Sequence, residues 1–96
     1  MEMTIKELLK EYKMELDLKE KLKYNDYEGI GETFMLRGML LSDINSLTKE
    51  EYDEILIYEK EIQEVYDELL AKYPQLKRVI EEGRSKMIEY QLKSVA

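Results

Sequence analysis

Apolar positions recur every three or four residues along most of the chain, a period that predicts helices rather than strands. In the first run, residues 5 to about 24, Ile5, Leu8, Leu9, Tyr12 and Leu16 share one face. Thr4 and Glu7 have the spacing of a capping box, and Met3 and Leu8 that of a hydrophobic staple. Past Leu16 the stripe drifts toward Leu18 and Leu22, so a bend or a change of partner is expected there. Glu15 with Lys19 and Asp17 with Lys21 are acid-before-base pairs at i,i+4.

Asn25-Asp26 predicts the end of that helix. Gly29, Gly31 and Gly38 follow, each weakening a helix by up to ~1 kcal/mol relative to alanine. The expectation is a loop to about Gly31, then a short buried helix over residues 33–45. Its face would be Leu36, Met39, Leu40, Ile44 and Leu47, widened by Phe34 and Leu41. A strand over residues 33–36 is the alternative.

The next signal is the clearest. Thr48 and Glu51 form a second capping box and Leu47 and Tyr52 a second staple, opening a helix that runs to about Tyr73. Ile55, Ile62, Val65, Tyr66, Leu69 and Tyr73 line its apolar face. Pro74 fits the first turn of a further helix over residues 75–93, with Leu76, Val79, Ile80, Met87 and Tyr90 on its face. Heptad positions stay in phase across the proline, so one long kinked helix competes with a helical hairpin. The expected fold is all-α: one domain over residues 1–96, a small bundle of three to four helices, and a homodimer.

Composition narrows the function. A chain of 96 residues buries only a modest core, which makes self-association the default. With 44% hydrophobic and 39% charged residues, it is too apolar for a disordered chain and too charged for a membrane protein. No segment approaches the ~20 apolar residues that span a bilayer. The amphipathic, charged N-terminus does not read as a secretion signal, and there is no cysteine, so a cytoplasmic protein is expected. There is also no histidine, which removes the commonest general base and transition-metal ligand. At net charge −7 the surface repels nucleic-acid phosphates and anionic lipids and attracts a basic protein. Neither cofactor, metal, membrane nor direct nucleic-acid contact is expected.

The charge is uneven. Residues 48–73 carry three basic and nine acidic side chains, net −6, while residues 74–96 carry five basic and three acidic, net +2. Asp53, Glu54, Glu61, Glu64, Asp67 and Glu68 line the side of the helix opposite its apolar stripe, with Ile57 among them. This acidic face is the expected partner-binding surface, and a row of carboxylates on a rigid helix resembles a row of phosphates. Glu51 with Glu54 and Glu64 with Asp67 also raise the question of magnesium. Metal-dependent chemistry of that kind needs carboxylate pairs on facing helices, and these share one.

Glu59 interrupts the apolar stripe between Ile55 and Ile62. A lone buried carboxylate is costly, so it is expected to reach water from the edge of the stripe, to pair with a lysine, Arg37 or Arg84, or to set the register of a helical assembly. Gly83 lies on the apolar face of the last helix, where it ends the helix, kinks it or admits a close neighbour. Together with Tyr66, Met87 and Tyr90, Glu59 and Gly83 form the expected interface and register set. Ile88, Leu92 and Val95 add a second stripe that points to a subunit interface. Tyr24, Tyr27 and Tyr58 lie off the stripes and are candidates for an outside partner. The functional expectation is a non-enzymatic regulator or inhibitor acting by stoichiometric contact. The alternatives are a self-assembling structural module and, last, a magnesium-dependent hydrolase.

Overall fold

The computed structural model describes residues 3–95, which form five α-helices and one 3-10 turn, with no strand among them. The helices are α1 (Ile5–Glu15), α2 (Leu18–Lys23), α3 (Tyr27–Ser42), α4 (Lys49–Lys72) and α5 (Leu76–Val95), and the 3-10 turn is Ile44–Ser46. α1 and α2 follow each other as two pieces of one rod. That rod packs on α3 and α4, and α5 packs on α3 and α4.

The core has two halves. At one end Leu8, Leu9 and Tyr12 meet Leu40, Leu41, Ile55 and Met87. At the other, Leu18 and Leu22 meet Ile30, Phe34, Ile62, Leu69, Leu76 and Ile80. The order of these contacts along the chain makes the rods alternate in direction, an up-down-up-down bundle. α3 and α4 stand at diagonal corners.

The first expected helix is broken in two. Leu16 adopts an extended conformation, and Asp17 caps α2 by accepting from the Glu20 amide. The break returns Leu18 and Leu22 to the core, where both are fully buried, and so corrects the drift of the stripe. It also frees polar backbone groups, and side chains satisfy them. Lys21 and the Thr33 hydroxyl donate to the Glu15 carbonyl, and the Leu18 amide donates to Glu61 Oε1 at 3.1 Å. The expected i,i+4 ion pairs give way to this arrangement: Lys19 reaches Glu64 at 3.0 Å, and Lys21 reaches Glu15 at 3.3 Å.

The expected loop to Gly31 is helix instead. Asn25 turns the chain at φ 53°, a left-handed conformation that asparagine tolerates. Asp26 then caps α3, accepting from the Gly29 amide at 3.0 Å. A Cβ on Gly29 would lie 2.2 Å from the Asp26 carboxylate, so this glycine permits the cap rather than breaking the helix. Burial of Ile30, Thr33, Phe34, Leu40 and Leu41 outweighs the propensity cost of the glycines. The buried face of α3 also differs from the expected one, because Arg37 lies at its centre while Met39 is exposed.

The Thr48 capping box forms in both directions: the Glu51 amide donates to Thr48 Oγ1 at 3.1 Å, and the Thr48 amide to Glu51 Oε1 at 2.8 Å. At Thr4 the hydroxyl accepts from the Glu7 amide at 3.2 Å. Pro74 makes a corner. The start of α4 meets the end of α5, where the Tyr52 hydroxyl donates to the Met87 carbonyl at 3.3 Å and the Tyr52 and Tyr90 rings stack 4.5 Å apart. α4 and α5 are therefore a hairpin, not one kinked helix.

Candidate functional site

Between the two halves of the core lies a single polar layer. Arg37 is 1% exposed, and its Nε donates to Glu59 Oε1 at 2.7 Å across the diagonal from α3 to α4. The guanidinium then lies against Gly83 of α5. A Cβ there would come within 2.3 Å of Nη1, so the glycine is the space the arginine occupies. The ring of Phe34 stands 6.0 Å from the same guanidinium. Glu59 thus has a partner within its own chain, and the pair fixes how α3, α4 and α5 align.

The remaining residues of the expected interface set lie on the same seam of α4 and α5. Met87 is buried, while Tyr66 and Tyr90 are half-buried. The Arg84 guanidinium covers the Tyr66 ring at 4.7 Å, and the Tyr90 hydroxyl donates to the Leu47 carbonyl at 3.4 Å. Glu59, Gly83 and Met87 therefore lie inside one chain. Arg37 itself was legible only as a possible partner of Glu59. Its signal is that it carries the only charge between Glu32 and Asp43.

The acidic face of α4 is partly occupied. Glu54 receives a bond from Lys13 at 2.9 Å, Glu61 caps α2, and Glu64 pairs with Lys19. These three face the α1–α2 rod, although the helical pattern alone sets them toward solvent. The Lys13 and Lys19 pairs are open to water and contribute little to stability. The carboxylates raise both lysines above their ordinary pKa, chiefly by hydrogen bonding. Asp53, Asp67 and Glu68 remain exposed, with Ile57 at 62% exposure and Lys60 among them. The free surface is a ridge of mixed but mainly acidic character along a helix of 24 residues.

Two of the tyrosines expected to face outward are engaged. Tyr58 packs edge-on against Tyr12 at 5.7 Å, and Tyr27 lies 5.2 Å from Tyr73 and its hydroxyl accepts from Nε2 of the Gln75 side chain. Tyr24 is exposed. Tyr12 is fully buried near the polar layer, and its hydroxyl has no hydrogen-bond partner. Burial raises its phenol well above the ordinary range; Arg37 works against this, and Glu59 and Glu61 add to it.

The folded state therefore holds this proton where the unfolded chain releases it, above about pH 10. There the unfolded state binds fewer protons, so stability falls as pH rises. Tyr12→Phe should flatten that fall by up to about 1.4 kcal/mol per pH unit. At neutral pH it should add about 1 kcal/mol, because an unpaired buried hydroxyl is removed. Urea unfolding at neutral pH and at roughly pH 10.5 checks both effects.

Among the described residues no group of three or more acidic side chains is placed to hold a metal ion, and no helix is long and apolar enough to cross a membrane. Of the carboxylate pairs raised by the sequence, Glu51 is engaged in its capping box, and Glu54 and Glu64 are engaged with lysines. Comparison with known proteins finds no matching family model, no matching curated protein and no matching solved structure.

Proposed function

We propose that this chain is a cytoplasmic, non-enzymatic binding module that acts by stoichiometric contact with a protein bearing a basic surface, such as one that handles nucleic acid. The observation that carries the reading is the ridge of α4. Asp53, Asp67 and Glu68 are exposed there, and Ile57 stands out among them as an apolar knob. An exposed apolar side chain ringed by charges suits a contact in which electrostatics select the partner and apolar burial holds it. The rigidity of α4 supports this, since both core halves and the buried ion pair hold it in place. The net charge of −7 favours fast encounter with a basic partner.

The test is a charge reversal that spares the structural carboxylates. Asp53→Lys, Asp67→Lys and Glu68→Lys together should abolish capture of a partner from a bacterial lysate at low salt while the helical signal stays intact. The wild-type chain should retain one dominant protein and lose it as salt rises. Undiminished capture by the triple variant, or no capture by the wild type at any salt, overturns the reading.

A further inference from the structure

Arg84 stands one residue beyond Gly83, shares a groove with Glu59, and has a charge that nothing answers. Its guanidinium lies over the Tyr66 ring at 4.7 Å. Nε and Nη2 are covered and have no hydrogen-bond partner, and among the described residues no carboxylate pairs with the side chain. Nη1 has no partner either, and it alone of the three nitrogens is not covered. Glu59 does not neutralise it, because Arg37 holds that carboxylate at 2.7 Å. Arg37, Glu59 and Arg84 together therefore carry one positive charge without a counter-charge. A guanidinium stripped of water at two nitrogens favours an anion that reaches the third.

The groove follows the outer seam of α4 and α5 and has a volume of about 210 Å³. Tyr52 and Met87, both buried, form its floor, and the Tyr52 hydroxyl is engaged by the Met87 carbonyl. Leu56, half-buried, and Ile88, 56% exposed, form its apolar walls. The space is that of roughly seven waters at ~30 Å³ each, too small for a nucleotide and enough for a short hydrocarbon chain. By helical spacing Lys60 stands on the outer rim between Leu56 and Gln63. Asp67 and Glu81 lie one turn beyond Gln63 and Arg84, toward the Pro74 corner, and neither lines the groove.

We propose that this groove binds a small monocarboxylate with a short apolar body. The carboxylate accepts from Arg84 Nη1 and supplies the missing negative charge. The hydrocarbon lies along Leu56 and Ile88, away from Asp67 and Glu81. The two features select together: apolar walls offer nothing to an inorganic anion, and the arginine offers nothing to a neutral chain. The groove is open and the whole chain carries a net charge of −7, so the dissociation constant is on the order of 1 mM. The site borders the α4 ridge without depending on it, since none of Asp53, Ile57, Asp67 and Glu68 lines the groove.

Hexanoate titrated into isotope-labelled protein tests this by NMR. It should shift the Arg84 Nε–H resonance and the amides of Gln63 and Ile88, and the shifts should saturate. Hexanol and acetate, which carry the chain or the charge alone, should each bind at least about tenfold more weakly. Arg84→Met should bring hexanoate down to the level of hexanol and leave hexanol itself unchanged, a pattern that lost packing alone does not give. Ile88→Asp, at a solvent-exposed position that the fold does not need, should abolish hexanoate binding with the helical signal intact. Shifts equal for hexanoate and acetate, or undiminished in Arg84→Met, overturn the proposal. So does the absence of any saturable shift, as a groove shaped for the acidic side chain of a protein partner would give.

Discussion

Arg37→Met and Glu59→Leu, made singly, should each cost about 3–5 kcal/mol, and made together should cost close to nothing. The singles are severe because each leaves a charge stranded: the arginine is 1% exposed and the carboxylate is buried beside it. Among the described residues, neither makes an ion pair with any other side chain. The double variant removes both charges and leaves two apolar side chains, an unbranched thioether and a branched hydrocarbon, between two apolar halves that can accept them. A net gain in stability would also agree, since buried ion pairs often fall short of good apolar packing. Urea unfolding of the four proteins gives the coupling directly. Losses in the double variant that merely add up would mean that the two residues act independently, against the 2.7 Å bond.

Gly83→Ala should cost about 3 kcal/mol, roughly 12–24 °C in Tm for a domain of this size. Ordinarily alanine is favoured over glycine inside a helix by ~1 kcal/mol, so the expected sign is reversed. The added methyl carbon would sit 2.3 Å from Nη1 and 2.7 Å from Cζ of Arg37. The end of a long side chain usually moves aside, but this one is bonded to Glu59 and enclosed by both core halves. In the Arg37→Met, Glu59→Leu background the obstruction is gone, and Gly83→Ala should become neutral or stabilising. Thermal melts of the substitution in both backgrounds check this change of sign. An equal loss in both would place the cause in the α5 backbone rather than in Arg37.

Much of this fold can be read from the chain, and the failures share a cause. The boundaries of α4 follow from the Thr48 capping box and from a stripe that holds its phase for 24 residues. Local signals misled where a distant group decided the outcome. The break at Leu16 is stabilised by Glu61 and Thr33, and helical spacing within one segment cannot reveal either. Glycines in α3 resemble a loop until Asp26 is seen folded onto Gly29. For the candidate surface, the stripe pattern sets the carboxylates of α4 apart from its apolar face, and Asp53, Asp67 and Glu68 are exposed there. It had no means of showing that the α1–α2 rod would engage Glu54, Glu61 and Glu64. Glu59 was conspicuous as a polar break, but its partner depended on a diagonal pairing that only the assembled bundle defines.

The polar layer also constrains how this chain can change over generations. Losing Arg37 strands Glu59, losing Glu59 strands Arg37, and any side chain at position 83 collides with the arginine. Each single step away from the trio crosses a deep valley in fitness if about 3–5 kcal/mol is a large part of a marginal total. Stable descendants without the trio exist in principle, yet reaching them requires two changes at once or a stabilising substitution elsewhere first. In diverged copies of this chain, positions 37, 59 and 83 are thus expected to persist or disappear as a set, while the surface around them drifts one residue at a time.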